Sequence, residues 1–183
     1  MLSLLAGCLP LLAGDLLAAP LSPVSAKECA VLDNLIKELD SLPPSSSESR
    51  NPGGFAARPR LNRVAEAMEA PLDLSRWTGD LTPSDLQTFN RQTLPRASLR
   101  SCRTLLQQIR RHKGGMSGYL RESFPDGTHV SLSRVMFNND ASLACFEYSP
   151  ASGPLGMEVW QLVMRREDER HWRLIGWRLS LVS

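Results

Sequence analysis

The sequence predicts an α+β domain, with N-terminal helices packed on a C-terminal four-stranded antiparallel sheet. Three observations carry that expectation. Apolar residues recur at helical spacing along the first two thirds of the chain, the period drops to two after Thr128, and short turns separate the β runs that follow. Short loops between consecutive strands favour an antiparallel meander, and helices followed by strands place the helices on one face of the sheet.

Each element has its own signal. Ser25-x-x-Glu28 reads as a capping box, in which the serine oxygen and the glutamate satisfy each other's free backbone N–H groups. Cys29, Leu32, Leu35, Ile36 and Leu39 follow at helical spacing and predict a helix over 26–40. The stretch 42–60 is rich in Pro, Ser, Gly and Asn and reads as a disordered loop, and 61–69 reads as a short helix before Pro71. Thr82-Pro83-Ser84-Asp85 is a helix start: a cap, a proline at the first helical position, and an acid at the positive end of the dipole. That helix is expected to run to 92. Another is expected over 97–112, with Leu99, Cys102, Leu106 and Ile109 as its apolar stripe and Gly114-Gly115 as its end. A helical turn fits 117–123. The β runs fall at 128–137, 142–149, 157–166 and 171–182, and Trp160, Trp172 and Trp177 in the last two belong to a sheet core. A cystatin- or NTF2-like roll, with helices on a curved sheet, is the alternative architecture.

The chain has 183 residues, and its 42% hydrophobic and 22% charged residues fit one globular domain. A net charge of +2 is too small to signal nucleic acid, and no nucleic-acid partner is expected. Residues 1–26 read as a signal peptide and 27–183 as the domain. The apolar run in the leader is too short to span a bilayer, which takes about 20 residues, so no integral membrane segment is expected. Small residues before Ala19 and Ala26 offer two cleavage points. Leu5-Ala6-Gly7-Cys8 has the form of a lipobox, which makes a lipoprotein anchored at Cys8 the alternative if the true start lies upstream. Losing the leader leaves Cys29, Cys102 and Cys145. An odd count in an exported protein suggests one disulfide and one free thiol, with Cys29–Cys102 the expected pair. The expected location is periplasmic or secreted.

Ser133-Arg134-Val135-Met136-Phe137-Asn138-Asn139-Asp140, then Ala144, Gly153-Pro154-Leu155-Gly156, Trp160 to Val163, and His171 to Ile175 occur in that order. This succession resembles a group of secreted bacterial proteins of unknown function. Their C-terminal half reads S-R-x-x-F-N-x-D, C-G-P-L-C-G and a final G-x-W-x-V strand. The likeness covers about 80–183 and includes Leu81-Thr82-Pro83 and Phe89-Asn90. It departs at the loop, where Ser152 stands in place of the group's first cysteine and Gly156 or a deletion replaces the second. The resemblance implies export and an α+β architecture, and no activity.

Catalytic and cofactor chemistry finds little purchase. His112, His129 and His171 have no second histidine or cysteine at helical spacing, and no cysteine–histidine set has zinc spacing, so no metal or cofactor is expected. Gly115-Met116-Ser117-Gly118 fails the spacing of a nucleophile elbow, and Cys145 in a strand is expected to be buried rather than nucleophilic. Glu147 and Glu158, on neighbouring predicted strands, are the one candidate carboxylate pair for acid–base work. The most uneven charge lies at 91–113, where seven cations occur without an acid. Arg100, Arg103, Arg110 and Arg111 there form a candidate face for an anionic partner. The leading expectation is therefore a non-enzymatic envelope or secreted module that binds a partner protein or an anionic envelope component. A hydrolase using dispersed carboxylates and a basic peripheral membrane binder are the alternatives.

Overall fold

The computed structural model describes residues 20–42, 52, 59–69, 77–90, 92–112, 128–151 and 158–182. Most of the expected leader, nearly all of the 42–60 loop, the 117–123 turn and the Ser152–Gly156 loop lie outside them. In chain order the elements are α1 (Ala26–Ser41), β1 (Pro59–Glu66), β2 (Met68–Glu69), β3 (Thr78–Gly79) and α2 (Pro83–Gln87). There follow β4 (Thr93–Leu94), β5 (Ala97–Ser98), a 3₁₀ turn at Leu99–Ser101, and α3 (Arg103–Arg111). The last five strands are β6 (Thr128–Ser133), β7 (Met136–Phe137), β8 (Leu143–Ala151), β9 (Glu158–Arg166) and β10 (Trp172–Val182).

The α+β class holds, but the sheet is larger than four strands and is mixed. Its eight strands run β3-β10-β9-β8-β6-β1-β5, with β7 also paired to β8, and β2 and β4 form a separate ribbon. The four expected runs do form the antiparallel β6/β7-β8-β9-β10 portion. The addition is β1, which pairs parallel to β6 and antiparallel to β5. A parallel pair needs a crossover, and the chain from 67 to 127 supplies one.

Helical spacing misleads at 61–69, where the chain is β1 and β2 and not a helix. Leu61 faces Val130 and Ala65 faces Leu132, so four residues of β1 span two of β6. Asn62 holds that bulge, its side-chain oxygen accepting the Val64 N–H at 3.2 Å. The bulge interrupts the regular pairing, so Leu61, Val64 and Ala65 do not alternate as in a plain strand. The expected 97–112 helix is also broken. Ser98 is held extended, donating its N–H to the Ser22 carbonyl and accepting from the Val24 N–H, and the helix starts only at Arg103. The helix expected to reach 92 ends at Gln87.

α1 keeps its expected start and stripe. Glu28 closes the capping box with Ser25, and Cys29, Leu32, Leu35, Ile36 and Leu39 are buried. α1 and α3 run parallel, side by side and in step. Cys29 and Cys102 stand at disulfide distance with Cα atoms 5.0 Å apart. Asp33 accepts the Leu105 N–H at 2.8 Å and so caps α3 from its neighbour, and Asp40 meets His112 Nε2 at 3.1 Å.

The Glu28 carboxylate does more than cap. It accepts from Arg134 Nε at 2.7 Å and Nη2 at 3.2 Å, from the Val135 N–H at 3.3 Å, and from Ser25 N–H and hydroxyl at 2.8 and 3.0 Å. Residues 133–135 are the break between β6 and β7, so one carboxylate ties the first turn of α1 to the sheet.

Alternation divides the sheet into two faces. Val130, Leu132, Phe146, Tyr148, Trp160, Leu162 and Met164 share one face by register and join α1 in the core. On the other face the β7 end is covered by the segment that carries β2, β3, α2 and β4. Met68 reaches Ser133, Asp85 reaches Arg165, and Leu81 packs so close to Gly176 that a Cβ there would lie 2.8 Å from it. Beneath that cover Cys145 and Val163 face each other, fully buried.

Two predictions follow from these ties. Burial alone would raise the Glu28 carboxyl, but bonds from Arg134 and Ser25 and the Arg134 charge outweigh it and hold the group below its ordinary value. Its contribution is therefore complete above the unfolded-state pKa of about 4.3 and disappears as pH falls through that value and the lower folded one. Urea unfolding should show Glu28→Gln less stable than wild type by about 3 kcal/mol at pH 7, since it strands a half-buried arginine, with the gap closing below pH 4. A gap that does not change with pH would contradict this. Replacing Cys29 and Cys102 by alanine opens a cross-link between residues 73 apart and should cost about 4 kcal/mol, read from the same unfolding curves.

Candidate functional site

A groove of about 240 Å³ opens on the second sheet face, beyond the end of the β2–α2 cover. Its walls are Glu66 from β1, Ser131, the Leu132 backbone and Ser133 from β6, and Glu147 and Ser149 from β8, with Val159 of β9 adding apolar surface. The alternation of β6 puts Ser131 and Ser133 on this face while Val130 and Leu132 enter the core. The register then sets Ser131 directly opposite Ser149 and Glu147 opposite Gln161.

The groups differ in how far they are satisfied. Ser133 is fully engaged: its hydroxyl accepts the Glu147 N–H at 2.8 Å and donates toward the Arg134 carbonyl and Met68 sulfur. Glu147 accepts from Gln161 Nε2 at 3.2 Å, and Gln161 accepts in turn from Arg178 Nε at 2.8 Å. The Arg178 guanidinium lies over the Trp77 ring, 5.8 Å from its centre, which completes a polar ladder across β8, β9 and β10. Glu66 is paired with Arg96 at 3.0 Å. Ser131 and Ser149 differ from all of these. Neither hydroxyl has a hydrogen-bond partner among the described residues, although Ser149 is only 9% exposed.

The structure separates the candidate carboxylate pair. Glu147 stands on the groove face, whereas Glu158 shares the opposite face with Trp160 and accepts its indole N–H at 3.1 Å. The two cannot work on one bond, which removes the geometry that a hydrolase built on them needs. Cys145 is buried completely, and burial first, then the nearby Glu147 charge, pushes its thiol far up, against any thiolate role. His112 meets Asp40, His171 meets Asp168, and His129 is exposed. No group of three metal-binding side chains occurs among the described residues. Trp160 and Trp172 are buried in the core and Trp177 packs against it.

Arg100, Arg103, Arg110 and Arg111 are all exposed, and none pairs with an acid among the described residues. They do not lie on one helix, because Arg100 belongs to the 3₁₀ turn and the other three to α3. The stripe they flank is Leu99, Cys102, Leu105 and Ile109, with Leu105 in place of the expected Leu106.

Sequence reasoning singled out Glu147 but missed Glu66, Ser131, Ser149 and Gln161. The signal was present as polar residues at every second position of 129–133 and 147–149. Such alternation marks a polar face, and only the tertiary structure distinguishes a solvated face from a half-enclosed one.

The fold and groove together define an α+β domain with a small polar recess on the sheet face away from α1. No protein-family model matches the chain, and neither a curated protein nor a solved structure does.

The burial of Cys145 has a direct check. Native protein treated with iodoacetamide and mapped by mass spectrometry should leave Cys145 unmodified, with full alkylation once urea unfolds the chain. Modification of Cys145 in the native state would contradict its placement.

Proposed function

We propose that this chain is an exported, non-enzymatic binding module that takes a small ligand, or a side chain of a partner, into the Ser131–Ser149 groove. The observation that carries this reading is the pair of unpartnered hydroxyls facing each other in a recess. The two hydroxyls open into the groove with no partner among the described residues, so both are free to bond a ligand there. Ser133, Glu147 and Glu66 are each tied to a neighbouring protein group, which gives the recess a fixed shape. No helix among the described residues is long and apolar enough to cross a membrane.

Export is supported by the apolar leader, by the likeness of 80–183 to a secreted group, and by the Cys29–Cys102 pair, which suits an oxidising compartment. Of the two cleavage points, the one near Ala19 suits the fold. Val24 is buried, Ser22 and Val24 bond the Ser98 backbone, and Ser25 caps α1. Cleavage after Ala26 would discard all three, so the intact mass of protein recovered from its host should correspond to a start within 20–22. A start at Lys27 would speak against this assignment.

A second reading rests on the four exposed arginines: a surface for an anionic component of the cell envelope. Co-sedimentation with vesicles that requires anionic lipid and weakens with salt supports it, and binding indifferent to both rejects it.

The groove reading is tested by a ligand screen on ¹⁵N-labelled protein with small amines, polyols, carboxylates and neutral alcohols. Saturable shifts centred on Ser131, Glu147 and Ser149 are expected for at least one class. If every probe leaves these amides unmoved, or moves only residues elsewhere, the groove is not a binding site.

A further inference from the structure

Resting on the reading of the groove as a binding site, we infer that its ligand is a primary ammonium group on a short aliphatic stem, carried by a small amine or a lysine side chain. The lining decides the sign of the charge. Among the described residues it includes two glutamates and three serines and no lysine or arginine, so these residues offer an anion no counter-charge. Glu66 is already neutralised by Arg96, whereas Glu147 bonds only the neutral amide of Gln161, and only through Oε1. Its Oε2 accepts nothing among the described residues.

The open acceptors are therefore three: Glu147 Oε2, Ser131 Oγ and Ser149 Oγ. A primary ammonium has three N–H donors. The two serines are a directly opposed pair, with Cβ atoms expected roughly 5 Å apart, and Glu147 precedes Ser149 by two residues along the same face. A long glutamate side chain bridges that step of roughly 7 Å. The serines accept while their own protons turn outward, and the carboxylate supplies a charge-assisted bond.

Val159 supplies surface for methylene groups, and the recess of about 240 Å³ lies below the roughly 300–1,000 Å³ of drug-sized pockets. A linear amine of a few carbons suits both facts. A quaternary ammonium has no donor to offer and does not suit.

The test uses the disulfide-intact protein with n-butylamine at pH 7, where it is protonated, beside n-butanol and tetramethylammonium, all read by amide shifts in NMR titration. n-Butylamine should saturate, shifting Ser131, Glu147 and Ser149, with n-butanol and tetramethylammonium at least tenfold weaker. Glu147→Gln should weaken n-butylamine at least tenfold and Ser149→Ala severalfold, with each variant's fold verified by its amide spectrum. The comparison of probes on wild-type protein stands without any variant. Equal binding of n-butanol, or unchanged n-butylamine affinity in a folded Glu147→Gln protein, overturns the ammonium assignment and leaves the groove as a site for a neutral ligand. Absence of n-butylamine shifts at a groove that another probe class does occupy also overturns the assignment alone. Silence of the groove toward every class overturns both this inference and the reading beneath it.

Discussion

The Glu28 carboxylate is the constraint on which the rest of the structure depends. A buried ionised carboxylate is stable only when its lone pairs are filled, and here five donors fill them. Two come from Ser25 and fix where α1 begins. Three come from Arg134 and Val135 and fix where β6 stops and β7 starts. The break cannot slide along the strand without emptying one of those bonds. Ser133, the residue before it, is thereby held where its hydroxyl accepts the Glu147 N–H, so the floor of the groove inherits its position from the helix cap.

Around that anchor the molecule is organised by pairing in step. Three ties between α1 and α3, two at the start of α3 and one at its end, keep the helices parallel over the shorter one's length. On the opposite sheet face the covering segment is pinned at three places, by Met68, Leu81 and Asp85. It stops short of the β1–β6–β8 region. The groove is the part of that face the cover does not reach, and its residues are polar because they meet water or a ligand and not a second layer.

Much of this was legible in the residues. The capping box at Ser25, the helix start at Thr82, the apolar stripe of α1, the four C-terminal strands and the burial of Cys145 follow from local chemistry and periodicity. β1 was not legible, because the bulge between Leu61 and Ala65 interrupts the alternation that marks a strand. The split of 97–112 was not legible either, because it depends on Ser98 bonding to Ser22 and Val24, more than 70 residues earlier. The resemblance motif takes on a structural meaning in retrospect. Arg134 pairs with Glu28, Phe137 packs edge-on against Trp172, and Asn138 and Asp140 bond the turn that leads into β8. The site stayed hidden because its defining property is the absence of partners for Ser131 and Ser149, and unmet bonds leave no trace in a sequence.

The central claim is thus one of connection: the cap of the first helix positions the groove on the far face of the sheet. Hydrogen exchange of the Val135 and Glu147 amides, compared between wild type and Glu28→Gln at pH 7, tests it most directly. The account predicts that loss of the carboxylate accelerates exchange at both sites as well as in the first turn of α1. Acceleration confined to the helix turn, with Val135 and Glu147 as protected as before, would contradict it.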